Sequence, residues 1–288
     1  MSVATRILVL GATGMLGHTV LRLFNGSEGH EAWGTVRSAA GARRLPATDR
    51  DRLIVGVDVE NADSLARAFA EVRPEIVINC VGLVKQLAEV NDPLLTLPLN
   101  SLLPHRLARL CAAAGARLVH VSTDCVFDGT CGGYVEADTP DARDLYGLSK
   151  YLGEVDQQNA ITLRTSIIGP ELGGANGLIE WFLSQQGRVP GYTRAVFSGL
   201  STLELARVIR DRVLPRPELR GLYHVSAAPI SKHDLLGLVA EAWGKSIEIV
   251  PDDGLCIDRS LNSTRFREAT GYIPPSWPRM VADMKAFG

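Results

Sequence analysis

Short, largely continuous apolar runs alternate with helix-forming stretches through the first half of this chain. Residues 6–10 (RILVL), 53–57 (LIVGV), 76–80 (IVINC) and 118–122 (LVHVS) carry apolar side chains on successive positions rather than on every second one. A strand of that kind is buried on both faces. Residues 15–25, 61–72 and 99–114 fall between these runs and read as helices, with Asn61 as an N-cap and Gly115 as a stop signal. Residues 31–36 add a strand, and residues 146–158 and 161–164 add a further helix and strand. Strands separated by helical crossovers pair in parallel and are covered on both sides. The expected fold is α/β, a Rossmann-type doubly wound parallel sheet.

The rhythm changes near Gly169, and Gly and Pro are dense as far as Gly191. Residues 203–213 and 231–243 read as amphipathic helices, the second capped by Ser231. Residues 222–225 and 247–250 read as short strands, and the tail at 265–287 is interrupted by Pro274, Pro275 and Pro278. This pattern divides the chain into residues 1–168, a dinucleotide-binding domain, and residues 169–288, a smaller α/β substrate lobe. Parts of that lobe are free to return to the sheet.

Composition removes several classes of function. The formal net charge of -2 supplies no basic field for nucleic acid. No apolar run approaches the ~18 residues of a membrane span. The five cysteines, Cys80, Cys111, Cys125, Cys131 and Cys256, form no C-x-x-C pair. That suits free thiols in a reducing compartment rather than a disulfide framework or a zinc site. The six histidines lack metal-ligand spacing, so no metal site is expected. With no signal-peptide pattern at the start, the expected location is cytoplasmic.

The first strand runs into Gly11-Ala-Thr13-Gly14-Met15-Leu16-Gly17 and then a helix. Strand, glycine loop and helix in that order form the context of a dinucleotide fingerprint. Glycines allow a tight turn and close approach of backbone to a pyrophosphate, and the helix N-terminus receives the negative charge. The spacing here is G-x-x-G-x-x-G. About 20 residues on, an NAD site usually offers an acid, whereas this chain offers Arg37. An Arg pairs with a 2′-phosphate, which favours NADPH, with NADH as the alternative. Asp58 and Val59 follow the third strand, where Asp58 is placed either to accept from the adenine amino group or to start a helix. Cys80, Val81 and Gly82 end the fourth strand and are small enough to line the adenosine half.

Tyr146 and Lys150 stand four residues apart, on one face of a helix. An ammonium beside a phenol favours the phenolate, so Lys150 is expected to lower the Tyr146 pKa and ready it for proton exchange with a carbonyl or hydroxyl oxygen. Ser122, Thr123 and Asp124 end the fifth strand, at the sheet edge where such folds bind ligands.

Together these stretches resemble the extended short-chain dehydrogenase/reductases, and among them the dTDP-4-dehydrorhamnose reductase-like nucleotide-sugar 4-ketoreductases. The resemblance rests on GATGMLG, the Asn100 helix, VFDG at 126–129, YVEADTP at 134–140, YGLSK, and LRTS at 163–166, and it is strongest over the first 170 residues or so. It implies an oxidoreductase in which Tyr146 is the general acid, Lys150 holds the nicotinamide ribose and Thr123 orients the substrate oxygen. It implies that Asn100 supports the lysine or the cofactor, although a satisfied polar helix residue reads the same way. Thr165 and Ser166 would lie near the nicotinamide and the sugar, and Ser122 near the cofactor. The implied substrate is a nucleotide-diphosphate sugar, and a homodimer is compatible with the resemblance.

The chain departs from its relatives at Cys125. Reductases of 4-dehydrorhamnose commonly carry Tyr there, and 4,6-dehydratases carry Glu. Cys is a poor acid/base for eliminating water, so the departure argues for reduction and leaves the sugar open. Lys85, Asp124, Cys125, Ser166, Arg194 and Arg259 are the candidate substrate contacts, the two arginines because their forks match phosphate. Two other readings stay open: an epimerase or epimerase-reductase, and a non-catalytic NADP-binding regulatory subunit like those of methionine adenosyltransferase.

Overall fold

The computed structural model describes residues 4–174 and 177–288. Seven parallel strands form the central sheet. These are β1 (Thr5–Leu10), β2 (His30–Val36), β3 (Leu53–Val55), β4 (Ile76–Asn79), β5 (Arg117–Thr123), β6 (Ala160–Thr165) and an edge strand, Gly221–His224. From that edge strand the spatial order runs β6, β5, β4, β1, β2, β3. The order reverses between β1 and β4, so a crevice opens at their carboxyl ends.

Side chains alternate across β1 as the double burial requires. Ile7 and Val9 join the core that includes Val20, Leu21 and Phe24 of α1 (Met15–Asn25), and also Leu205 and Trp277. Leu8 and Leu10 join the opposite core with Leu65, Phe69, Leu103 and Leu107. Both faces of the sheet are therefore sealed by helices, the α/β arrangement that the continuous apolar runs predict.

The structure differs from the sequence reading at several elements. The helix expected over 146–158 stops at Leu152 and is capped by Gly153, which lies so close to the Asn100 carbonyl that any Cβ would collide with it. The helix expected over 99–114 is reached through a short helix, Pro93–Thr96, and a π-turn, Leu97–Leu102. Pro98 and Pro104 each lack an N–H, so the regular ladder is interrupted there. The strand expected over 53–57 ends at Val55, where Gly56 takes φ +81°. Prolines do not dissolve the tail. Helices form at Thr264–Thr270 and Trp277–Phe287, and Pro278 sits in the first turn, where its missing donor costs nothing.

The glycine-rich stretch after Gly169 holds a helix, Leu178–Ser184, and a strand, Arg188–Tyr192, that pairs in parallel with Glu248–Asp252. The edge strand Gly221–His224 returns to the main sheet beside β6. Among the described residues no helix is long and apolar enough to cross a membrane.

Candidate active site

The glycine loop links β1 to α1 with Gly11 at φ +79°. Its turn is closed by the Gly14 N–H donating to the Gly11 carbonyl at 2.9 Å, and the Ala12 N–H donates to the Thr35 carbonyl on β2 at 3.1 Å. A Cβ at Gly17 would strike the Gly11 carbonyl, so helix and loop approach as only glycine permits. No side chain caps α1 at Gly14. Its first-turn N–H groups thus have no side-chain cap among the described residues, and they fit a pyrophosphate. Thr13, Met15 and Leu16 complete the loop, with Leu16 buried.

Arg37 follows β2 and is exposed. Asp58 is exposed too, and one of its oxygens accepts from the Glu60 N–H at 3.0 Å, so half of that carboxylate serves its own turn. Val59 is buried beneath it. At the end of β4, Asn79 accepts from the Val81 N–H at 3.1 Å and shapes the Cys80–Val81–Gly82 turn. Burial pushes the Cys80 thiol up to about 12. A Cβ built on Gly82 would stand 3.1 Å from Asn100 Oδ1 and 4.0 Å from Lys150 Nζ, so this turn borders both residues. Asn100 pins the turn directly: its Oδ1 accepts from the Leu83 N–H at 2.9 Å, and its Nδ2 donates to the Leu83 carbonyl at 3.1 Å and to Ser149 Oγ at 3.2 Å.

The Tyr146 helix, Leu145–Leu152, is capped by Asp144, whose carboxylate accepts from the Gly147 N–H at 3.0 Å. Lys150 is 6% exposed, and its Nζ donates to the Val121 carbonyl of β5 at 2.9 Å. Burial lowers its pKa to about 8, with the Glu154 carboxylate opposing the shift. Tyr146 is partly accessible, yet its pKa lies above the ordinary tyrosine value. Burial is the main cause, Cys125, Asp124 and Asp144 add to it, and a bond from the Thr123 hydroxyl opposes it. The expectation that Lys150 lowers the Tyr146 pKa is therefore corrected. The ammonium is turned to a strand carbonyl, and desolvation of the phenolate and the acidic groups around it both hold the proton on the phenol.

Thr123, Asp124 and Cys125 gather around Tyr146, and the charges of Arg259 and Lys85 reach this group. Asp124 is 4% exposed and accepts from the Thr123 hydroxyl at 3.2 Å. Burial raises its pKa, and the Arg259 guanidinium works against that shift. Burial pushes the Cys125 thiol up to about 12, which keeps it protonated and chemically quiet at neutral pH. Arg259 reaches in from the C-terminal lobe, donating from Nε to the Phe127 carbonyl at 2.8 Å and from Nη2 to the Asp128 carbonyl at 3.3 Å. Ser166 follows β6, and its carbonyl accepts from the Thr165 hydroxyl at 3.2 Å. Lys85 pairs with Asp144 at 2.8 Å at the exposed start of the Tyr146 helix. Arg194 is exposed, and its carbonyl accepts from the Ile257 N–H at 3.0 Å.

Ser122 has a different partner from the one expected of a cofactor contact. Its hydroxyl donates to Glu154 Oε1 at 2.7 Å. Glu154 in turn receives both arms of Arg164, Nε and Nη2, at 2.6 Å each. Neither charged residue was singled out from the sequence. An Arg inside the wholly buried β6 strand is the available signal, since a buried charge demands a partner.

The doubly wound sheet with its glycine loop, taken with the family match over most of the chain, is that of the extended short-chain dehydrogenase/reductases. Residues 5–284 match the family described as RmlD substrate binding domain, and the chain belongs to that family. It is similar to methionine adenosyltransferase 2 subunit beta from Bos taurus, at 31% identity over 263 residues covering 83% of this chain and 72% of that protein. It is also similar to dTDP-4-dehydrorhamnose reductase from Salmonella typhimurium, at 26% identity over 291 residues covering 91% and 97% of the two chains. Among solved structures, dTDP-4-dehydrorhamnose reductase from Bacillus anthracis in complex with NADP superposes with a TM-score of 0.80, covering 99% of each chain at 21% identity.

Proposed function

We propose that this protein is an NADPH-dependent reductase of the 4-keto group of a nucleotide-activated 6-deoxy sugar. The observation that carries the reading is the convergence of Thr123, Tyr146 and Lys150 at the carboxyl end of β5, beside an uncapped glycine loop. Bound NADPH supplies the hydride, and the protein supplies position and a proton. Tyr146 is held protonated at neutral pH, the state a general acid needs before it donates to the forming alkoxide. Thr123 would orient that oxygen, and Lys150 would hold the nicotinamide ribose. Arg37 pairs with the 2′-phosphate, Asp58 with the adenine, and the residue 80–82 turn covers the adenosine. Asp124, Cys125 and Ser166 form the sugar wall, and Lys85, Arg194 and Arg259 take the nucleotide diphosphate.

The test is NADPH oxidation against a panel of dTDP-, UDP-, GDP- and CDP-4-keto-6-deoxy sugars. Turnover is expected on at least one, falling about 100-fold or more in Tyr146→Phe. Undiminished turnover in that variant overturns the acid assignment. Equal use of NADH and NADPH, unchanged in Arg37→Ala, overturns the cofactor preference.

The 31% identity to a methionine adenosyltransferase beta subunit favours a second reading, an NADP-binding regulatory subunit. NADPH binding without ketone reduction, together with a stable complex with another enzyme, would support it over the first.

A further inference from the structure

The Thr123 hydroxyl has three partners. The Cys125 N–H donates to its Oγ1 at 3.1 Å, and the same oxygen lies 3.2 Å from Asp124 Oδ1. It also reaches the Tyr146 phenol. A hydroxyl has one donor and two lone pairs. The Cys125 amide fills one lone pair, so one donor and one acceptor remain for Asp124 and Tyr146. Thr123 therefore donates to one of them and accepts from the other. In the structure it donates to Asp124, which leaves Tyr146 as the donor to Thr123. Turned the other way, it donates to a Tyr146 phenolate and eases that charge. The two arrangements interconvert by proton shifts alone, with no heavy atom displaced.

Asp124 suits the far end of that chain. It is buried where β5 ends, in contact with the Thr123 hydroxyl. Burial raises its pKa, and the Arg259 guanidinium and the hydrogen bonds with Cys125, Thr123 and Ser166 offset this only in part. The carboxyl is thus a better proton carrier than an exposed aspartate. The other titratable groups around the pair are the Cys125 thiol, pushed up to about 12, and Asp144 and Lys85, which bridge each other at 2.8 Å. Once Tyr146 gives up its proton, burial and its acidic neighbours oppose the phenolate, so the phenol oxygen draws a proton back. The Lys150 ammonium, the other cation nearby, donates to the Val121 carbonyl.

We propose that Asp124 restores the Tyr146 proton after each reduction, through the Thr123 hydroxyl. The inference rests on the reductase reading. During reduction the Tyr146 O–H bond breaks and its proton goes to the alkoxide. In the return step the Thr123 hydroxyl proton passes to the Tyr146 oxygen, and the Asp124 carboxyl proton passes to Thr123. Asp124 is left as a carboxylate and takes a proton from water when the product leaves. The return step needs no oxidant or reductant.

Stopped-flow NADPH oxidation by Asp124→Asn, with a 4-keto sugar that wild type turns over, tests the proposal. Asn keeps the shape of Asp and a polar contact with Thr123, but has no carboxyl proton to give. The variant should oxidise about one NADPH per site in a fast phase and then slow at least about tenfold. Added imidazole, at constant pH and ionic strength, should speed that slow phase and leave wild type unaffected. Fast and slow phases that fall together, or a slow phase indifferent to imidazole, overturn the relay alone. Absence of turnover by wild type with every sugar overturns the reductase reading and the relay with it. Circular dichroism checks the fold of the variant. If that fold is lost, the Asp124 carboxyl 13C signal of wild type decides: a midpoint above the ordinary aspartate value supports the relay, and an ordinary midpoint overturns it.

Discussion

Lys150 and Arg164 are two buried cations within one turn and one strand of each other, and they are treated in opposite ways. Arg164 is 2% exposed and fully matched: two arms hold Glu154 at 2.6 Å, the third meets His224 Nε2 at 3.3 Å, and the Phe127 ring lies 5.2 Å from its centre. Lys150 is 6% exposed and has one carbonyl, Val121, at 2.9 Å. The matched cation closes the end of the sheet, and the under-matched one faces the crevice. A charge satisfied on every side has nothing left for a ligand. A charge with spare donors does, and its lowered pKa records burial that one carbonyl does not offset.

The largest effect should come from breaking the matched pair. Arg164→Met leaves Glu154 buried without its cation and should cost about 3–5 kcal/mol in urea unfolding. A cost below about 1 kcal/mol would place Arg164 among ordinary surface charges and erase the contrast. At Lys150 the expectation reverses. Lys150→Met should cut turnover about tenfold or more while leaving unfolding stability equal or higher near pH 7, because an under-paired charge has been removed from a buried site.

The pH dependence sharpens the same point. The Lys150 pKa lies at about 8 in the fold against 10.5 for an ordinary lysine. Between those values the unfolded chain binds the proton that the folded chain has released, so stability rises with pH across that window. The burial penalty is present in full below about pH 8 and fades towards 10.5. Urea titrations at pH 7 and 10 should show wild type gaining relative to Lys150→Met at the higher pH. Turnover, which needs the ammonium, should decline as pH rises through about 8. The smallest effect belongs to the exposed Lys85–Asp144 bridge. Lys85→Ala should change stability by less than about 1 kcal/mol in the same unfolding assay.

The two regions also differ in how plainly they could be read from sequence. The glycine loop, Thr123 and the Tyr146–Lys150 spacing are local patterns, each confined to a few residues and one element. Glu154 was placed on a helix that ends before it. That helix ends at Gly153, which packs where a Cβ would strike the Asn100 carbonyl, a neighbour 53 residues away that no local pattern announces. Arg259 reads from sequence as a phosphate anchor, but its hold on the Phe127 and Asp128 carbonyls joins residues more than 130 positions apart. The sequence leaves open whether the strand at 222–225 returns to the sheet, and the pairing of Gly221–His224 with β6 assigns it there.

The sequence by itself determined the alternation of buried strands and helices, the dinucleotide loop and the identity of the acid candidate, because hydrophobic period and backbone geometry act over short stretches. Tertiary structure decided the charge states. Whether Tyr146 is tuned down by its lysine or held protonated depends on how much water surrounds the phenol and which way Lys150 points. Both follow from packing between elements distant in the chain, and the result was a protonated phenol with its lysine turned to a strand carbonyl.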